Sequence, residues 1–117
     1  MILVDTTVWV SHLRAGDETP ARRLDVGVVL VHPFVIVELA VGNLRQREIV
    51  LDALSDLPRA DTATEAEVLR FIDRHALFGR RIGYVNVHLL AAAQLTAGAK
   101  LWTKDERLHG VAVQLFN

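Results

Sequence analysis

The chain opens on four apolar residues, Met1-Ile2-Leu3-Val4, with no charge among them. A short run that is apolar at every position predicts a strand covered on both faces. Val8, Trp9 and Leu13 then fall at helical spacing, and that stripe stops at Gly16. Residues 17–25 turn polar and predict a loop with a short helix. Val28-Val29-Leu30-Val31 predicts a second buried strand, closed by His32-Pro33. Proline is tolerated in the first turn of a helix, so a helix is expected from about Pro33 to Leu44. Val50, Leu54 and Leu57 stripe the next helix, which Pro58 ends. Thr64 and Glu67 have the spacing of a capping box, and Val68, Phe71, Ile72 and His75 supply the inner face of the helix that follows, up to Phe78-Gly79. Asn86 is expected to cap an Ala- and Leu-rich helix through Ala97, with Gly98 as its stop. Leu101-Trp102-Thr103 predicts a third strand, Asp105 a single helical turn, and Val111–Phe116 a last strand. A fifth strand is expected to lie near Arg59–Thr62.

Strands separated by helical stretches of this length imply right-handed parallel crossovers. The expected fold is therefore α/β, a three-layer helix–sheet–helix sandwich around a mainly parallel sheet of four to five strands. No repeat, linker or low-complexity segment interrupts the pattern. The 117 residues are expected to form one domain spanning 1–117, long enough to bury a substantial core.

Composition narrows the function classes. Hydrophobic residues make up 51% of the chain, with a mean hydropathy of +0.27, which excludes a disordered chain. Glu38 interrupts the longest apolar stretch well short of the ~20 residues of a membrane span, so no membrane role is expected. No secretory signal is visible, and the expected location is the cytoplasm. Without cysteine there is no disulfide, thiolate metal site or cysteine nucleophile. Net charge is −1, so overall balance does not point to nucleic acid. The eleven arginines against two lysines suit bidentate phosphate contacts, although GC-rich coding gives the same bias.

Three acids stand out. Asp5 follows the first strand directly, where open α/β sheets bind ligands outside the carboxyl ends of their strands. A buried anion there needs a positive or hydrogen-bonding partner, and a helix N-cap is the alternative reading. Glu38 is surrounded in sequence by Val35, Ile36, Val37, Leu39, Ala40 and Val41, which leaves no obvious solvated face and predicts a metal-facing or paired carboxylate. Asp105 repeats the Asp5 pattern, an acid at a strand's exit, and by itself also reads as an N-cap. Together the three predict a site for a hard divalent cation, Mg²⁺ or Mn²⁺, because clustered carboxylates repel without a counterion. Phosphodiester hydrolysis is the chemistry such a site supports.

The segments Ile2-Leu3-Val4-Asp5-Thr6-Thr7-Val8-Trp9, Val37-Glu38-Leu39, Gly83–Ala92 and Leu101-Trp102-Thr103-Lys104-Asp105-Glu106-Arg107-Leu108, in this order in so short a chain, resemble the PIN-domain ribonuclease toxins of the VapC type. The resemblance covers nearly the whole chain. It implies a PIN fold, a Mg²⁺- or Mn²⁺-dependent endoribonuclease acting on selected RNA such as tRNA or rRNA loops, and a cognate VapB-type antitoxin. It places the family's catalytic and metal-binding acids on Asp5, Glu38, position 86 and Asp105, with Thr6 and Thr103 as accompanying hydroxyls. Position 86 departs from the family, which has Asp where this chain has Asn86. An amide oxygen can ligate a hard cation but brings no charge and cannot act as a base. An attenuated enzyme follows, or a binding module that holds RNA or antitoxin without cutting.

Arg80 and Arg81, just ahead of this segment, are candidates for RNA phosphate contact, with a solvated loop as the alternative. The five histidines show no metal-ligand pairing and read as core or surface residues. A homodimer is expected from the resemblance and from apolar residues, Trp9 and Phe34 among them, that a small sheet would leave uncovered. A dehalogenase-type aspartyl nucleophile would be followed two residues later by a second acid, where Thr7 stands. The strand-borne lysine of a receiver domain is not matched by Lys104.

Overall fold

The computed structural model describes residues 1–15 and 28–116. Its central feature is a parallel sheet in the order β2-β1-β3, with β1 at Ile2–Val4, β2 at Val29–Leu30 and β3 at Lys100–Trp102. Both pairings are parallel, in the registers Ile2↔Val29 and Leu3↔Leu30 on one side and Ile2↔Lys100, Leu3↔Leu101 and Val4↔Trp102 on the other. β1 is thus the middle strand, and Leu3 and Val4 are fully buried. That is why the opening run carries no charge: a strand paired on both edges and covered on both faces has no solvated position.

The helices are α1 (Thr6–Ala15), α2 (Pro33–Val41), α3 (Arg47–Ser55), α4 (Glu65–His75), α5 (Tyr84–Leu95) and α6 (Glu106–Phe116). Pro33 occupies the first turn of α2, and His32 caps it by accepting the Phe34 N–H on Nδ1 at 3.0 Å. The capping box of α4 forms as expected, Thr64 Oγ1 accepting from Glu67 N at 3.1 Å and Glu67 Oε1 from Thr64 N at 2.9 Å. α5 is buried from Val87 to Ala93 and joins two clusters of core side chains. Leu89, Ala92 and Ala93 pack with Leu3, Val4, Val8 and Leu39. Val87, Leu90 and Ala91 pack with Phe71, Leu108 and Val111.

Several expectations need correction. Val111–Phe116 is helix, not strand. Its alternating look conceals helical spacing, because Leu108, Val111, Ala112 and Leu115 fall at i, i+3, i+4 and i+7 and form the inner face of α6. Among the described residues the sheet therefore has three strands, with an isolated parallel bridge Val31↔Arg59 where the fifth strand was expected. α2 ends at Val41, short of Leu44. α5 begins at Tyr84 with Gly83 as its N-cap, so Asn86 lies inside the first turn and does not cap it. Trp9 is not left uncovered; it is 2% exposed within the core. The polar stretch 17–25 lies outside the described residues. No described helix is long and apolar enough to cross a membrane.

Candidate functional site

The parallel register of β1 and β3 creates the site. One residue beyond the Val4↔Trp102 pair, the Asp5 N–H still donates to the Trp102 carbonyl at 3.0 Å. The next positions, Asp5 and Thr103, are therefore side by side at the carboxyl ends of two adjacent strands, both buried. The Thr103 hydroxyl donates to Asp5 Oδ2 at 2.6 Å and accepts the Asp105 N–H at 3.0 Å.

The other oxygen of Asp5 serves α1. Oδ1 accepts the Thr7 N–H at 2.8 Å, the Thr7 hydroxyl at 2.5 Å and the Val8 N–H at 3.3 Å. Asp5 is thus a helix N-cap as well as the acid at the strand's exit; each carboxylate oxygen has its own task. These contacts give both oxygens of a carboxylate that is 2% exposed a hydrogen-bond donor. Among the described residues Oδ1 holds three donors and Oδ2 one, so the greater acceptor capacity is on Oδ2.

Thr7 was not singled out in the sequence. Its hydroxyl donates to Asp5, accepts the Lys104 N–H at 2.9 Å and lies 3.4 Å from the Thr103 hydroxyl, tying α1 to the segment after β3. The signal was present: a hydroxyl two residues after an Asp at a helix start is placed to bond back to it. Lys104 Nζ adds a bond to Ser11 Oγ at 2.7 Å across the same junction.

Glu38 departs from expectation. It is exposed, as are Val37 and Val41 around it, because α2 packs inward through Val35 and Leu39 and turns its other side outward. An apolar neighbourhood in sequence did not mean burial. The carboxylate is nevertheless fixed: the Thr6 hydroxyl donates to Oε1 at 2.6 Å. Thr6 thus serves Glu38, while Thr7 and Thr103 serve Asp5. Glu38 also borders a cleft of about 410 Å³ lined by Val10, Leu13, Arg14, Leu39, Asn43 and Arg45, which sequence reasoning did not find.

Asp105 is half-buried and its Oδ1 accepts the Leu108 N–H at 3.0 Å, so the N-cap reading of this residue holds. Through Thr103 it is joined to Asp5. The structure thus links Asp105 to Asp5 and seats Glu38 on the hydroxyl of the residue next to Asp5. Asn86 is half-buried in the first turn of α5. Arg80 and Arg81 are exposed in the turn before that helix, and Arg81 has a left-handed backbone with φ 59°.

The donor chemistry fits a hard cation, since every candidate ligand is a carboxylate or amide oxygen. Among the described residues no three His, Asp or Glu side chains are grouped closely enough to hold an ion by themselves. Mg²⁺ tolerates that arrangement, because it keeps several waters and commonly takes one or two carboxylates plus substrate phosphate.

Residues 2–114 match the PIN domain family. The chain belongs to that family. It is similar to Ribonuclease VapC32 of Mycobacterium tuberculosis, in strain CDC 1551 / Oshkosh and in strain ATCC 25618 / H37Rv. Each is 45% identical over 114 residues, covering 97% of this chain and 92% of the relative. The match makes this PIN domain one of the VapC type.

Two buried histidines, one capping α2 and one on α5, have ring centroids 6.4 Å apart. His32 is 1% exposed, and His88, on α5, is buried too. Desolvation, then the nearby His88, lowers the pKa of His32 from 6.5 to about 4. Desolvation also lowers that of His88. Because His32 Nδ1 accepts from Phe34, its proton resides on Nε2 when neutral, and that buried N–H has no hydrogen-bond partner among the described residues.

Proposed function

We propose that this PIN domain, working as a single unit over residues 1–117, is a metal-dependent endoribonuclease toxin of a type II toxin–antitoxin system, weakened at Asn86. The observation that carries the reading is Asp5: a buried carboxylate at the exit of the central strand, held from both sides, with acceptor capacity left on Oδ2. The relative named a ribonuclease over nearly the whole chain supports the choice of RNA as substrate.

Nucleases of the PIN family generally use divalent metal ions, and Asp5, Glu38, Asn86 and Asp105 are the residues that would hold Mg²⁺ or Mn²⁺ here. Bound there, such an ion would lower the pKa of a water molecule and offset charge on the scissile phosphate. The chain's own part is preorganisation. Thr7, Val8 and Thr103 fix the Asp5 carboxylate, so it need not reorient when substrate arrives. Thr6 fixes Glu38 at the surface, where phosphate can approach. Asn86 offers an oxygen without charge and accepts no proton, which lowers both ion affinity and turnover. Arg80 and Arg81, and Arg14 and Arg45 at the cleft beside Glu38, supply cations for the RNA backbone.

The partners that go with this reading are a tRNA- or rRNA-class substrate, a VapB-type antitoxin and a second copy of the chain in a homodimer, all in the cytoplasm. An antitoxin arginine reaching the carboxylates would inhibit by replacing the cation's charge. The second reading is a PIN-fold module that binds RNA or antitoxin without cutting, and Asn86 favours it. Incubation of the purified chain with structured RNA and Mg²⁺ or Mn²⁺ separates the two. Slow cleavage that stops with a chelator, and is absent from Asp5→Asn, supports the enzyme. Binding without cleavage over a broad RNA panel supports the module.

A further inference from the structure

Four rings gather between the start of α2 and the start of α5. Phe34 stacks on Tyr84 with centroids 5.8 Å apart and planes inclined by 21°. Edge contacts hold Phe34 from two other directions, His32 at 5.0 Å and His88 at 4.8 Å. His88 also lies 4.8 Å from the Tyr84 ring, one helical turn along α5. His32 and His88 are buried and Phe34 is half-buried, yet Tyr84 is 71% exposed. A large ring braced so closely and still open to solvent is unusual for a surface residue.

The nest flanks the proposed catalytic residues. Phe34 precedes Glu38 by four residues on α2, so both lie on one face, about 6 Å apart along the axis. Tyr84 opens the helix that carries Asn86. Arg80 and Arg81 precede Tyr84 by four and three residues in an exposed turn. Arginine beside a braced, exposed aromatic is the pairing that receives a nucleotide, the cation taking phosphate and the ring taking the base.

We propose that Tyr84, braced by Phe34 and His88, is a stacking platform for an unpaired nucleobase of single-stranded RNA next to the cleavage site. The inference rests on RNA being the substrate, but it makes its own demands. It requires unpaired RNA, because a base inside a duplex cannot reach an exposed ring. It is tolerant of base identity, since every base has a π-face.

The test uses the whole chain without divalent metal, so that binding is read apart from cleavage. Tyr84 is the only tyrosine, so 3-fluorotyrosine incorporation places one ¹⁹F reporter on the platform. An unstructured RNA octamer should move that resonance, and the same octamer made abasic should not. In fluorescence anisotropy Tyr84→Ala should weaken octamer binding roughly tenfold or more, in line with the loss of one stacked base. Tyr84→Phe should bind as the unsubstituted chain does, and a blunt RNA duplex should be indifferent to both changes. Since the ring is largely exposed, Tyr84→Ala should keep its thermal transition. Equal octamer binding by Tyr84→Ala, or an abasic octamer that shifts the resonance equally, would overturn the platform alone. A ring that responds only to a protein partner would reassign it as a protein-docking surface. Failure of the unsubstituted chain to bind any RNA would remove the platform and the ribonuclease reading together.

Discussion

The Thr103 hydroxyl joins Asp5 to Asp105, and Thr103→Val removes it with little change in shape. Its bond to Asp5 Oδ2 is short, 2.6 Å, and charge-assisted, and Asp5 is only 2% exposed. Loss of a hydrogen bond to a charged group costs about 1.5–3 kcal/mol when water cannot replace it. Asp105 N–H loses its acceptor as well, adding up to about 1 kcal/mol, less where water reaches this half-buried residue. The sum is about 1.5–4 kcal/mol, or a fall of roughly 6–16 °C in Tm for a domain of this size. Thr6→Val is the matched control, because its bond to Glu38 is equally short but exposed. Exposed contacts of that kind are worth below about 1 kcal/mol. Thr103→Ser keeps the hydroxyl and should lose only the packing of one methyl. Thermal and urea unfolding followed by circular dichroism measures all three. A Thr103→Val protein within about 0.5 kcal/mol of the unsubstituted chain, or a Thr6→Val protein that loses as much, would refute the view that Asp5 is held by a buried bond to β3.

Two further outcomes follow from particular residues. Arg81 sits in the left-handed region at φ 59°, so Arg81→Gly should stabilise the fold by about 1 kcal/mol while weakening RNA binding and its salt dependence; an anisotropy titration at two salt concentrations checks the second part. His32 is neutral in the fold, with its pKa lowered from 6.5 to about 4. The unfolded chain therefore binds the proton first, and stability should fall as pH drops from about 6.5 toward 4, with no His32 effect above that window. His32→Gln should flatten this slope in urea titrations, and an unchanged slope would mean that His32 does not sense pH.

The parallel sheet was legible because β1 and β2 are uniformly apolar, a pattern that only doubly covered strands require, whereas β3 opens on the exposed Lys100. The last helix was misread for the converse reason: in Val111–Phe116 a six-residue window fits strand and helix alike, and only Leu108, one turn earlier, breaks the tie. Asp5 was readable from its place at a strand's exit, and it both caps α1 and accepts a bond from Thr103 beyond β3, which explains why both readings of it looked sound. Glu38 was expected to lack a solvated face, and the structure exposes it. Its apolar neighbours suggested burial, whereas α2 leaves Val37 and Val41 exposed with it, and a single helix cannot reveal which of its faces will be covered. Thr7 and the ring nest were missed because both depend on partners distant in the chain, Lys104 for one and the contact of α2 with α5 for the other.

The most direct test of the central claim compares RNA cleavage by the chain as it stands with cleavage by Asn86→Asp, at saturating Mn²⁺ and equal protein concentration. On the proposed reading the substitution adds a charged oxygen to the set Asp5, Glu38 and Asp105, and by analogy with single-group losses at other catalytic sites the rate should rise by about 10²–10³-fold. Metal dependence should be retained, and a chelator should abolish the gain. Equal rates from the two proteins would place residue 86 outside the working site, and absence of cleavage in both would contradict the assignment of this PIN domain as a ribonuclease.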